Sequence, residues 1–152
     1  MKDVKKQIHK GEKTLIGMGC YVVNPINLSI VLTPNEQAIL NVIRHCQNLG
    51  ERYISNSVMR VNTGLSENTV RKARDVLIKL NIIELVGKPT RIGIEYKINY
   101  KTLCTITEQL NSIKNPIKRL IYADKFRGEK LARHTKTIEE FQNSELGIKF
   151  IN

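Results

Sequence analysis

One helical segment of the sequence carries side chains suited to binding a polyanion. At 100° per residue, segment 66–80 places four apolar residues on one side, namely Val70, Ala73, Leu77 and Leu80. The opposite side carries Asn68, Arg71, Lys72, Asp75 and Lys79. An Asn side chain can bond adenine twice and an Arg side chain guanine twice, so Asn68 and Arg71 are candidates for base contacts. Lys72 and Lys79 are candidates for phosphate contacts.

The alternative for these charges is a solvated helix face. Asp75 lies four residues from both Arg71 and Lys79, the spacing at which ion pairs form along one helix. Asp75 on this face would also repel phosphate. On an isolated helix the solvated face is the better interpretation. The choice between a solvated face and a polyanion-binding face therefore depends on the elements around this helix.

Two predicted helix starts add hydroxyl and amide groups. Ser55 is the predicted N-cap of a helix over 56–63, and Ser66 is the predicted N-cap of the next helix. Ser66 and Thr69, together with the free backbone amides of the helix start, can bind one phosphate, and Ser55 and Asn56 can do the same. The alternative is that Ser66 serves only as a cap and that Thr69 packs inside the fold.

These starts belong to a run of elements over residues 33–99. Thr33, Pro34 and Glu36 have the spacing of a capping box with proline at the first helical position. The helix that follows has apolar residues at three- and four-residue steps, namely Ala38, Ile39, Val42, Ile43 and Cys46. Segment 52–54 predicts a single strand rung.

In the next helix, Val58 and Met59 are predicted to face inward, with Val61 a further candidate. Gly64 breaks that helix before the one that starts at Ser66, and Asn81 suits a left-handed residue at the end of the latter.

A hairpin closes the run. Strands are predicted over 82–86 and 94–98, joined by a turn-rich loop over 87–93. Lys88 and Arg91 lie in this loop, where they can reach a nucleic-acid backbone or minor groove. A helix-turn-helix followed by a hairpin is therefore the predicted core of a mainly α fold with a small β-hairpin.

The segment YISNSVMRVNTGLSENTVRKARDVLIKLNIIELV, followed by IEYKINY, resembles the winged helix-turn-helix of phage and plasmid replication proteins and related bacterial regulators. In that family a pattern like Gly-Leu-Ser-x-x-Thr-Val-Arg crosses the turn, and here it is Gly64, Leu65, Ser66, Thr69, Val70 and Arg71. The resemblance covers residues 33–99. It implies that helix 66–80 enters the major groove, with its N-terminal half nearest the bases.

The predicted organisation has three parts. Residues 1–32 form a basic arm with short extended segments, 33–100 a winged helix-turn-helix domain, and 101–152 a helical extension. In the extension, helices are expected over 102–113 and from Pro116, with Gly128 as an interruption. Packing on the domain with homodimerisation is the favoured role for the extension, and a second basic or partner-binding surface is the alternative.

Composition narrows the partners. The 152 residues carry a net charge of +11, which points first to nucleic acid. No apolar run approaches the roughly 18 residues of a membrane span, and no secretory signal is recognisable, so a cytoplasmic protein without membrane contact is expected.

Cys20, Cys46 and Cys104 are widely spaced. They predict no zinc site and no cofactor, and Cys46 and Cys104 are expected to be buried free thiols.

The sequence therefore predicts double-stranded DNA binding, as a transcription regulator or replication accessory protein. A protein-interaction adaptor or inhibitor that uses the same scaffold is the alternative, since fold does not fix function. An enzyme is not expected, because no phosphate-binding Gly loop, metal triad or nucleophile–base pair is recognisable.

Overall fold

The computed structural model of the chain describes residues 25–143. In chain order these form α1 (Pro25–Val31), α2 (Pro34–Asn48), α3 (Asn56–Thr63), α4 (Glu67–Lys79), β1 (Ile83–Thr90), β2 (Gly93–Ile98), α5 (Tyr100–Ser112), α6 (Pro116–Arg127), a 3₁₀ turn (Glu129–Leu131) and α7 (Thr135–Gln142). The two strands pair antiparallel. The prediction of a mainly α fold with a small β-hairpin is confirmed.

The first described element corrects the sequence analysis. Extended structure was expected up to residue 32, but α1 covers Pro25–Val31. Proline suits the first helical position, and Val31 and Leu32, at and just after the end of this helix, are fully buried in the core. The predicted basic arm and the rest of the predicted extended stretch lie outside the described residues.

Helix α2 begins as its sequence predicts. The Thr33 Oγ1 accepts a hydrogen bond from the Glu36 amide at 3.2 Å, and the Thr33 amide donates to Glu36 Oε1 at 3.1 Å. Such reciprocal bonds satisfy two of the free amides at a helix start. Ile39 and Ile43 are then fully buried, which anchors α2 in the core.

Helices α3 and α4 have the predicted boundaries. Ser55 Oγ accepts from the Val58 amide at 3.1 Å at the start of α3, and Gly64 ends α3 with φ 71°, a left-handed conformation that glycine adopts without strain. Met59 is fully buried, but Val61 is 84% exposed. Val61 as an inward residue is therefore wrong, because the inward face of this two-turn helix is only wide enough for Met59 and part of Val58.

The hairpin is longer on one side than predicted. Ile83 pairs with Ile98, and the ladder continues to Thr90 opposite Gly93. Between Val86 and Thr90 the register shifts, since four residue steps on β1 face two on β2. This irregularity admits the left-handed Gly87 (φ 70°) within the strand. The connecting loop shrinks to residues 91–92, so Lys88 lies in β1 and its placement in a loop is corrected.

The predicted strand rung before α3 is confirmed. Ile54 and Ile94 exchange backbone hydrogen bonds of 2.9 Å in both directions. Beside them Gly93 has φ 141°, and a Cβ atom there would lie 2.5 Å from the backbone carbon of Ile54. The hairpin thus abuts the chain directly before Ser55, which fixes the start of α3 relative to β2.

The C-terminal helices extend the same core. Leu103, Ile106, Leu110 and Ala123 belong to one buried cluster with Ile39 and Leu77. The two predicted interruptions are confirmed, since Asn115 Oδ1 caps α6 through the Ile117 amide at 2.9 Å and Gly128 ends it at φ 87°. The predicted helical extension therefore packs on the domain.

A buried ion pair joins the extension to α2. The Arg127 guanidinium donates to both carboxylate oxygens of Glu36, with Nη2 to Oε2 at 3.1 Å, and both side chains are about 95% buried. Arg127 also donates to the carbonyl oxygens of Val31 and Leu131, at 2.9 and 2.7 Å. Arg127 is thus one basic residue of the extension that cannot contribute to an exposed basic surface.

The two described cysteines differ. Cys46 is free and buried, as predicted. Cys104 is buried but disulfide-bonded, so the prediction of a free thiol there is wrong.

No helix among the described residues is long and apolar enough to cross a membrane.

Candidate nucleic-acid interface

Helix α4 has one buried apolar face and one exposed polar face. Val70, Ala73 and Leu77 are buried. The predicted contact residues of the opposite face, Asn68, Arg71, Lys72 and Lys79, are all exposed, as is Asp75. The apolar face fixes the rotation of the helix about its axis, so the amide and the three cations project from the protein together.

Arg71 is held only loosely. Its Nη2 lies 3.5 Å from Glu67 Oε1, one turn earlier, and both side chains are more than half exposed. An ion pair in this setting contributes about 0.3–0.5 kcal/mol, so the guanidinium can exchange Glu67 for a stronger acceptor at little cost.

Lys79 lies at the far end of α4 from Asn68. Eleven residues at 1.5 Å each separate them by about 16 Å along the axis. Lys79 therefore meets a different part of any extended ligand than Asn68 does.

The start of α4 concentrates hydrogen-bonding groups. Ser66 Oγ accepts from the Thr69 amide at 3.2 Å and lies 2.9 Å from Thr69 Oγ1. Ser66 is exposed while Thr69 is half-buried. Thr69 also lines a groove of about 300 Å³ between α2 and α4, together with Thr33, Asn35, Glu36, Lys72, Ala73 and Val76. Both hydroxyls serve the helix cap, and only Ser66 faces solvent freely.

The start of α3 lies close to α4. Ser55 is half-buried and its Oγ is engaged in the cap, whereas Asn56 is exposed at the first helical position. Asn56 Oδ1 accepts a hydrogen bond of 3.0 Å from Arg74 Nη1 on α4. The structure thus brings Asn56 of α3 into contact with α4, a proximity that the sequence alone does not predict.

Arg74 is a residue that sequence reasoning missed. It is half-buried at the border of the apolar face, and its Nη1 also lies 3.5 Å from the hydroxyl of Tyr96 on β2. Burial raises the pKa of Tyr96, and the Arg74 guanidinium partly opposes that rise. The position of Arg74 one turn after Val70 was the available signal, because an arginine beside an apolar stripe can lay its stem along apolar surface while its charged head stays at the polar edge.

The hairpin tip carries the remaining candidates. Lys88 on β1 and Arg91 in the turn are exposed, and Ile92 beside Arg91 is 67% exposed. Thr90 Oγ1 donates to the Gly93 carbonyl at 2.8 Å, which closes the turn. Lys88 thus projects from the end of β1 and Arg91 from a short turn that this bond closes.

The chemistry of the interface is hydrogen-bond donation and positive charge. Across residues 25–143, no group of three or more His, Cys, Asp or Glu residues could hold a metal ion. No family model, curated protein or solved structure matches the chain. Amide, hydroxyl, ammonium and guanidinium groups projecting from two helix starts and one helix face suit a polyanionic ligand.

Proposed function

We propose that the protein binds double-stranded DNA through a winged helix-turn-helix, with α4 in the major groove, as a transcription regulator or replication accessory protein. The observation that carries the proposal is the exposed face of α4, where Asn68, Arg71 and Lys72 project from a helix whose other face is buried. The turn at Gly64 sets this helix against α3. A single helix fits the major groove, and its amide and guanidinium groups match base acceptors there.

Phosphate contacts supply the rest of the proposed affinity. Ser66 and Asn56 face solvent at the starts of α4 and α3, and Lys79 is exposed in the last turn of α4. Lys88 and Arg91 extend the basic surface along the hairpin. Because each neutralised phosphate releases counterions, the logarithm of the binding constant should fall linearly with the logarithm of salt concentration.

The proposal extends to assembly and location. A homodimer, formed through the C-terminal helices, would present two copies of α4 to an inverted repeat. A protein that acts on cellular DNA in this way would work in the cytoplasm, and the proposed binding needs no cofactor.

The test is selection of bound duplexes from a random library at physiological salt. Enrichment of a defined sequence supports the proposal, and enrichment of an inverted repeat supports the dimer as well. No enrichment, with only salt-sensitive binding to every duplex, contradicts sequence-specific recognition. The double variant Arg71→Glu/Lys72→Glu should lose duplex binding, whereas Lys101→Glu, an exposed lysine in the first turn of α5, should retain most of it.

A second candidate is a protein-interaction adaptor or inhibitor, and exposed apolar side chains favour it. Val61 on α3 is 84% exposed, Ile92 at the hairpin tip 67%, and Leu85 and Val86 on β1 42% each. Val61 also lines a shallow groove with Ser57, Arg60, Gly64 and Leu65. If an adaptor, the protein should keep its partner after charge reversal on α4 and lose it after Val61→Lys.

A further inference from the structure

Arg74 makes contact with two other elements of the proposed DNA-binding surface. From α4 its Nη1 reaches Asn56 Oδ1 at the start of α3, at 3.0 Å, and the Tyr96 hydroxyl on β2, at 3.5 Å. Asn56 and Tyr96 lie 18 and 22 residues from Arg74 in the chain. One guanidinium therefore joins α3, α4 and the hairpin.

The chemistry of these groups decides which way the Asn56 amide faces. A guanidinium has five N–H donors and no acceptor. The atom of Asn56 that faces Arg74 must therefore be the carbonyl oxygen. The amide nitrogen, with its two N–H donors, then lies on the other side of the planar group, and Asn56 is exposed to solvent.

The neighbours of Arg74 limit its freedom. Tyr96 is only 4% exposed, so its hydroxyl is a fixed acceptor for Nη1. The approach of Gly93 to Ile54 fixes the backbone just before Asn56 relative to the same strand. The donor on α4 and the acceptor on α3 are thus both held against β2, and the pair is set before any ligand arrives.

We propose that Arg74 is a positioning residue that holds Asn56 as a hydrogen-bond donor toward DNA, an inference that rests on the proposed function. Without Arg74 the Asn56 amide can rotate, and in half of its orientations Oδ1 would meet the negative oxygens of the phosphate backbone. Arg74 thereby acts on DNA through Asn56 and contributes no phosphate contact of its own.

A double-mutant cycle separates this role from a direct contact. Arg74→Met, which keeps most of the apolar stem, should weaken duplex binding about threefold to tenfold, the loss expected for one oriented hydrogen bond. In an Asn56→Ala background the same change should alter affinity less than about twofold. The salt slope should stay the same, and Arg74→Lys, which restores a donor, should recover part of the loss.

Asn56→Asp sharpens the test because Asp has the same shape. A carboxylate keeps the acceptor for Arg74, so thermal stability should be retained or raised. It also replaces the outward donor with a negative oxygen, so duplex binding should fall further than in Asn56→Ala. A purely structural pair would show the opposite, with Asn56→Asp binding DNA as the wild type does.

The outcomes distinguish the two levels of the proposal. A wild type that binds no duplex overturns the proposed function, and the donor role falls with it. A wild type that binds while Arg74→Met has no effect, or has the same effect in both backgrounds, overturns only the role of Arg74. A salt slope reduced by about one in Arg74→Met would make Arg74 itself a phosphate contact.

NMR of the free protein gives a DNA-independent check, since Arg74→Met should shift the Asn56 side-chain amide resonances and leave those of Asn111 unchanged.

Discussion

Arg127 near the C-terminal end of the described chain and Glu36 in the first turn of α2 form an ion pair, 91 residues apart and shielded from water. Glu36 also accepts from the Thr33 amide as part of the capping box. The same carboxylate therefore caps α2 locally and holds α6 to it over a long range.

Glu36→Gln should destabilise the protein strongly. It leaves the Arg127 charge buried without a counter-charge, a change that costs about 3–5 kcal/mol, and it can be measured by urea denaturation. Glu129→Gln, at an exposed position in the 3₁₀ turn, is the matched control and should stay within about 0.5 kcal/mol of the wild type. A loss of unfolding free energy below about 1 kcal/mol in Glu36→Gln would show that the ion pair contributes little to the packing of α6 on α2.

Gly93→Ala should cost more than Gly64→Ala. Both positions have positive φ, 141° and 71°, but only at Gly93 would a Cβ meet backbone, at 2.5 Å from Ile54. We expect about 1 kcal/mol at Gly64 and at least twice that at Gly93, by thermal unfolding. Equal losses at the two positions would show that the hairpin can move away from α3 freely.

Two substitutions on α4 should separate base contacts from phosphate contacts. Arg71→Ala should cost about 1–3 kcal/mol of binding and relax preference at one base pair. Lys79→Ala should weaken all duplexes alike and lower the salt slope by about one. Anisotropy titrations against the selected duplex and single-base variants, at several salt concentrations, measure both. A uniform loss for Arg71→Ala would place that residue on the backbone.

The Cys46 thiol should make stability fall in alkaline solution. Burial, with Glu51 nearby, raises the pKa of Cys46 from 9.0 to about 11. The unfolded thiol loses its proton first as pH rises, so the folded state binds more protons between pH 9 and 11. The stability that this neutral thiol contributes is complete below pH 9 and is lost as pH rises toward 11.

Comparison with Cys46→Ala isolates this effect from the tyrosines whose pKa is also raised. We expect the free energy of unfolding of the wild type, relative to that of Cys46→Ala, to fall as the pH rises across that range. Parallel pH profiles would show that the thiol titrates normally in the folded state.

Local patterns predicted the helix boundaries well. Ser55, Gly64 and Ser66 act through hydrogen bonds to residues three or four positions away, so the spacing of residue types predicts these boundaries. The apolar face of α4 was likewise predictable, because helical periodicity alone places Val70, Ala73 and Leu77 on one side. The exposure of the opposite face followed from the same geometry.

Long-range contacts were not predictable in this way. The bonds from Arg74 to Asn56 and from Arg127 to Glu36 depend on how helices pack, and no spacing in the sequence encodes either. The same holds for α1, whose apolar residues suit a strand locally but a helix once they meet the core. The irregular register that extends β1 past Lys88 depends on the partner strand, since a loop rich in Gly and Pro is the normal local expectation.

The end of α1 has a consequence for any shortened version of the chain. The carbonyl oxygens of Ser29, Ile30 and Val31 lie within hydrogen-bond distance of Arg133 Nη1, His134 Nε2 and Arg127 Nη1, at 2.8, 2.6 and 2.9 Å. A fragment cut after residue 100 would keep these acceptors and the Glu36 carboxylate but lose every one of those donors. We therefore expect a fragment that carries α4 but ends there to be strongly destabilised, and its expression calls for boundaries that retain residues through His134.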